Sequence, residues 1–258
     1  MLNNYSDRMK VMVSLQEKLN VFTCGEKWKE GWCKNTKGER ETVFPLAVKL
    51  ELAELIDSLN WKHWKDVEGE PDYNNLFMEY VDVLHFMLSI MIILESEEHI
   101  TDIDVIKSNT GMGYVYIPLK AGITATSDDV IKTSIELSDQ LTYIMDSYDI
   151  GPDYSLDLGV LFLKLTENVL SFTGKTFEDV YKLYLVKNTL NIFRQNNGYK
   201  EGTYIKIWDG KEDNVVLETV SKDMEDCGVE FSFFELNERL ETKYRGIING
   251  KNKDKCCN

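Results

Sequence analysis

Hydrophobic positions recur at helical spacing along most of this chain. Met9, Met12, Leu15 and Leu19 fall three to four residues apart, which predicts a first helix from about Tyr5 to Val21. The polar stretch 34–41, with Gly38 inside it, predicts a loop. Pro45 then opens a second helix that ends near Trp64. The turn signal EGEPDYNN separates it from a third helix, Leu76 to about Glu95, whose apolar run spans 83–94. Two helices joined by so short a link form an antiparallel hairpin. Residues 109–125 are glycine-rich, with an alternating YVYIPLK, and predict an ordered loop or short hairpin. Helices resume at Asp128–Ser147, Leu156–Thr173 and Phe177–Gln195. Beyond Asn196 the pattern turns glycine-punctuated, in NNGYKEGTYIKIWDGKEDN. Short β-like runs follow at Val215–Val220 and Val229–Phe234, and the lysine-rich end KNKDKCCN predicts a frayed tail.

The helical pattern carries charge of an unusual kind. Glu51/Glu54 and Glu79/Asp82 are two carboxylate pairs at i, i+3, which places each pair on one side of its helix. Both lie in apolar stretches, LAVKLELAELIDSL and LFMEYVDVLHFMLSIMIIL, so those sides point inward. Four acids turned to one interior repel each other unless a cation sits among them, and oxygen-only ligands suit Mg²⁺ or Mn²⁺. A second set is basic. Lys187, Asn191 and Arg194 fall at i, i+4, i+7 on one helix, followed by Lys200 and Lys206. Beside an acidic metal cluster, such a stripe suits a polyphosphate and points to metal-assisted cleavage of a phosphoanhydride.

The net charge of −15 argues against nonspecific nucleic-acid binding, which needs a basic face, but leaves a nucleotide substrate open. The run 83–94 is too short to span a bilayer, so no membrane association is expected. MLNNYSDRMK leads straight into an amphipathic helix rather than a signal peptide. The five cysteines are odd in number and form no CxxC, as expected of reduced thiols in the cytoplasm.

ELAELIDS, then EYVDVLHF, then KNTLNIFRQNNGYKEGTYIKIWDGKEDN resemble the dimeric all-α dUTP pyrophosphatases, relatives of the wider all-α nucleoside triphosphate pyrophosphatases. The similarity covers most of residues 5–214. It implies an all-α bundle with a small irregular or β-like C-terminal part, in a homodimer that shares its active site across subunits. Residues 1–214 would form the catalytic domain, with a variable insertion around 96–174, and 215–258 a C-terminal extension. The implied activity is Mg²⁺-dependent hydrolysis of dUTP to dUMP and pyrophosphate. That keeps uracil out of DNA and feeds thymidylate synthesis. Whether dUDP also serves is left open.

The resemblance implies that Glu51, Glu54, Glu79 and Asp82 are the metal ligands, with Glu54 also deprotonating the attacking water. Lys187, Asn191, Arg194, Tyr199, Lys200 and Lys206 would hold the phosphates, and Asn214 would belong to a segment closing over the nucleotide. Gln16 and Asn20, in LQEKLN, resemble the amides that read uracil. Trp64 resembles the aromatic lining the base pocket, and His85 and Phe86 the sugar contacts. Three rival readings compete: a less selective nucleotide pyrophosphatase, a di-iron carboxylate bundle and a non-catalytic helical module. The basic block argues against the first. The lack of two Glu-x-x-His motifs argues against the second, and the intact acids and basic stripe against the third.

Overall fold

The computed structural model describes residues 2–29, 44–62, 64, 69–96, 124–146, 152–229 and 231–255. The expected loop at 34–41 and the YVYIPLK segment lie outside them. The chain divides into two compact units, Met1–Tyr181 and Lys182–Asn258.

The first unit is helical. Its elements are α1 (Leu2–Cys24), α2 (Phe44–Asp57), α3 (Tyr73–Ser96), α4 (Ser127–Asp146), α5 (Pro152–Thr173) and the start of α6 (Phe177–Asn196). Helix α2 packs on α3 and α4, and α5 packs on α3 and α4, which closes a four-helix ring; α1 lies against α3. The stretch read as a variable insertion therefore supplies α4 and α5, half of that ring. At its centre Val48, Leu52, Leu55, Leu76, Val83, Met87, Leu137, Leu141 and Leu165 are buried, as their helical spacing requires. Helix α3 is long and apolar enough to cross a membrane, but 78% of its most apolar window is buried inside the protein. Its hydrophobicity is that of a core helix.

Local chemistry sets the helix ends. Thr126 and Asp129 form a reciprocal capping box at the start of α4: the Asp129 Oδ2 accepts the Thr126 N–H at 2.8 Å and the Thr126 Oγ1 accepts the Asp129 N–H at 3.3 Å. Thr176 and Asp179 repeat it at α6, at 2.8 and 3.4 Å. Helix α2 stops at Asp57, seven residues before the expected end near Trp64. There the Ser58 carbonyl leaves the helical ladder and accepts the Asp72 N–H at 3.0 Å, while the Ser58 hydroxyl accepts from Asn75 at 2.8 Å. The turn is thus tied to the first turn of α3, and the tie outweighs the apolar pattern that runs on to Trp61.

The second unit begins inside α6 and contains the two-residue antiparallel pair β1 (Ile207–Trp208) and β2 (Lys211–Glu212), then α7 (Asp213–Asp226) and α8 (Phe233–Lys255). Asp209 and Gly210 both have positive φ, 49° and 80°, the backbone that a two-residue Asp-Gly hairpin turn needs. The β-like runs expected at Val215–Val220 and Val229–Phe234 are not strands. The first lies within α7, and the second leads into α8, which continues to Lys255 where a frayed tail was expected. Leu217, Val220 and Met224, and then Leu236, Leu240 and Tyr244, are the buried positions. Their three- and four-residue steps show a helical period that the short β-branched runs concealed.

Candidate active site

Helix α3 carries one set of candidate residues on one face. Residues 82 and 89 are two turns apart and nearly eclipsed, so Asp82, the His85–Phe86 step and Ser89 follow one another over about 10 Å of helix. At the N-terminal end of this face, oxygens of Glu79, Asp82 and, from α2, Glu51 all lie within 4.8 Å of one another. Glu51 faces α3 because Leu52 and Leu55 beside it are buried in the ring. Glu54 is exposed and does not join the three, although it was expected to. A step of three residues turns it about 60° from Glu51, to the solvent edge of α2. Three carboxylates at this separation form an all-oxygen donor set that fits a hard divalent cation such as Mg²⁺ or Mn²⁺.

Two turns along, α1 meets α3 through a buried polar network. The Gln16 Nε2 donates to the Asn20 Oδ1 at 3.0 Å and to the Ser89 Oγ at 3.1 Å, and the Asn20 Nδ2 donates to the same Oγ at 2.9 Å. The His85 Nδ1 lies 2.8 Å from the Gln16 Oε1. That oxygen only accepts, so the imidazole carries its proton on Nδ1. Gln16, Asn20, His85 and Ser89 are all at most 5% exposed, and these bonds join the two amides, the Ser89 hydroxyl and the His85 Nδ1 to one another. The structure thus brings Gln16, Asn20 and His85 together, and it adds Ser89, which sequence reasoning had left inside an apolar run. Phe86 is half-buried and packs against Phe44, ring centroids 6.5 Å apart. Trp64 does not share this burial: it is 62% exposed and lies edge-on to Trp61 at 5.5 Å.

The second unit holds the basic set. Lys187, Asn191 and Arg194 are half-buried on one stripe of α6. The helix ends in a left-handed glycine cap, with Gly198 at φ +87°: the Gly198 N–H bonds the Gln195 carbonyl at 3.3 Å and the Tyr199 N–H bonds the Arg194 carbonyl at 3.0 Å. A Cβ at Gly198 would collide with Thr203. The cap sets the Tyr199 ring 6.0 Å from the Arg194 guanidinium. Lys200 and Tyr199 are exposed, Lys206 pairs at 3.4 Å with Glu212, and the exposed Asn214 follows directly on Asp213.

Arg194 also has a partner that no sequence pattern announced. Its Nε and Nη2 each donate at 2.8 Å to the two oxygens of Asp213, a fully buried carboxylate that also accepts the Tyr204 hydroxyl at 2.7 Å. Burial opposes both charges. The mutual hydrogen bonds and attraction outweigh it, so Arg194 is held above its ordinary pKa and Asp213 below its own. Burial first, then Asp213, pushes the Tyr204 phenol far up, which keeps it a donor. The guanidinium has five N–H groups and Asp213 takes two of them; a fork of this kind can present its remaining N–H groups to an oxyanion. Tyr244 of α8 secures the loop: its hydroxyl accepts the Ile205 N–H at 3.0 Å, and its ring packs on Phe193, Tyr204 and Trp208 at 5.0–5.4 Å. The extension after residue 214 is therefore part of what holds the basic loop.

Over residues 8–199 the chain matches the family model described as dUTPase. No curated protein matches it.

Proposed function

The chain belongs to the dUTPase family and hydrolyses dUTP to dUMP and pyrophosphate, and we infer that Glu51, Glu79 and Asp82 do so around Mg²⁺, with Mn²⁺ as a substitute. The observation that carries the reading is the convergence of these three carboxylates within 4.8 Å on the face of α3 that continues to the buried amides. A divalent cation there neutralises phosphate charge and makes water a better nucleophile at neutral pH. Glu54, at the solvent edge one turn from Glu51, takes the proton of the attacking water. Arg194, Lys187, Asn191, Tyr199, Lys200 and Lys206 hold phosphate oxygens, and the Asp213 pair keeps the Arg194 fork oriented for that task. Asn214 contributes to closure over the nucleotide.

Gln16 and Asn20 read the uracil edge. His85 and Phe86 meet the sugar, where the Phe86 ring fills the space of a 2′-hydroxyl, and Trp64 closes against the base from its exposed position. The working form in this reading is a cytoplasmic homodimer with composite active sites and no role for nucleic acid or membrane. Its physiological task is to keep uracil out of DNA and to supply dUMP.

The test is pyrophosphate release from dUTP, UTP, dCTP and dTTP with Mg²⁺ and with EDTA, for the wild type and Glu54→Gln. Selective dUTP cleavage, abolished by EDTA and by the substitution, is expected. Cleavage of all four would keep the carboxylate centre but replace the base and sugar assignments with those of a general pyrophosphatase. Full activity in EDTA would remove the cation from the account.

A further inference from the structure

We propose that Ser89 is the positioning residue that sets base selectivity, because it fixes which way the Gln16 and Asn20 amides face; this rests on the reading that those amides meet the base. The Ser89 hydroxyl lies 3.1 Å from the backbone oxygen of His85, one turn back on α3. A carbonyl oxygen only accepts, so the single Ser89 proton is committed to it. Ser89 is fully buried, so bulk solvent does not compete for that proton. Its oxygen is left with lone pairs alone, and the two amides therefore present their N–H groups to it: Gln16 Nε2 at 3.1 Å and Asn20 Nδ2 at 2.9 Å.

The rest of the network follows from that polarity. The second Gln16 Nε2 hydrogen goes to the Asn20 Oδ1, and the Gln16 Oε1 accepts the His85 Nδ1 proton. Among the described residues, Asn20 keeps one amide hydrogen and one carbonyl lone pair, each on a fixed side. If the amides turned over, two carbonyl oxygens would face a hydroxyl whose only proton is already spent. This matters for base choice. Uracil presents an N3–H donor beside the O4 acceptor, whereas cytosine presents an N3 acceptor beside the N4 amino donor, so donor and acceptor are exchanged at these two positions. An asparagine free to rotate pairs with either base. An asparagine whose direction is fixed by Ser89 pairs with one and leaves the other with unmet hydrogen bonds.

The experiment is the ratio of kcat/KM for dUTP to that for dCTP in the full-length protein carrying Ser89→Ala, Ser89→Thr or Asn20→Ala. Ser89→Ala is expected to lower the ratio by roughly five- to a hundredfold. Ser89→Thr keeps an oxygen with the same carbonyl to donate to, and is expected to retain it. A ratio unchanged in Ser89→Ala, or equally lost in Ser89→Thr, overturns the proposal. A ratio unchanged in Asn20→Ala overturns the base-reading assignment instead, so the two failures are distinguishable. Long-range ¹H–¹⁵N NMR on the wild type gives a check that needs no variant to fold: neutral His85 should carry its proton on Nδ1, and an Nε2–H tautomer contradicts the polarity.

Discussion

The two units hold their chemistry in different ways. In the first, the three converging acids grow from two helices of a four-helix ring, and the packing of α2 on α3 aligns Glu51, Glu79 and Asp82. In the second, Arg194 sits at the end of a helix, and what orients it comes from 19 residues further on, around a glycine cap and a hairpin. Acids gathered by helix geometry suit a site where a bound cation would supply the countercharge. A guanidinium that must stay oriented while half-buried needs a built-in one, and Asp213 is it. The first arrangement comes from helix packing, and the second from a tertiary ion pair.

Substitutions break the comparison in order of size. Glu79→Gln removes a member of the oxygen cluster without changing its shape, and should lower kcat at saturating Mg²⁺ by on the order of 10²–10³-fold while the thermal midpoint barely moves. Asp213→Ala should do the reverse in kind: it leaves the Arg194 charge half-buried without its partner and should cost about 3 kcal/mol of stability, read by urea unfolding. This loss has a pH signature. The folded carboxyl lies below its unfolded value, so its stabilisation is complete above the ordinary carboxyl pKa of about 4 and fades as pH falls from there through the lowered folded value. The stability gap between wild type and Asp213→Asn should therefore shrink below about pH 4 and be constant above it.

Smaller changes sharpen the contrast. Tyr244→Phe strips the Ile205 N–H of its acceptor and should cost about 1 kcal/mol, mostly as faster local exchange of amides in the 199–208 loop. Thr176→Ala removes the capping box of α6 and should also cost about 1 kcal/mol, with no change in selectivity among nucleotides.

Most of the first unit was legible because its rules are local. The i, i+3 acids and the apolar periodicity lie within one or two helical turns, so α1, α3, α4, α5 and α6 appear where the spacing puts them, whereas Gln16 and Asn20 stood out only through the family resemblance. Two acids at i, i+3 are still about 60° apart, and both Glu79 and Asp82 reach the cluster while of Glu51 and Glu54 only Glu51 does; spacing places residues on a side but does not say which reaches the partner helix. Ser89 escaped notice because a serine within LHFMLSIM carries no signal until α1 is laid beside it. In the second unit the β-branched residues at 215–216 and 229 suggested strands, and packing on Leu217, Val220, Leu236 and Leu240 decided for helices. The Arg194–Asp213–Tyr204 group joins residues brought near by a turn, which no periodicity encodes.

The measurement that bears most directly on this division is equilibrium binding of Mn²⁺, followed by electron paramagnetic resonance, in wild type, Glu79→Gln and Arg194→Ala without nucleotide. The expected result is Mn²⁺ binding lost or weakened at least roughly tenfold in Glu79→Gln and unchanged in Arg194→Ala. Wild-type affinity retained in Glu79→Gln would contradict the assignment of the cation to the carboxylates of α2 and α3.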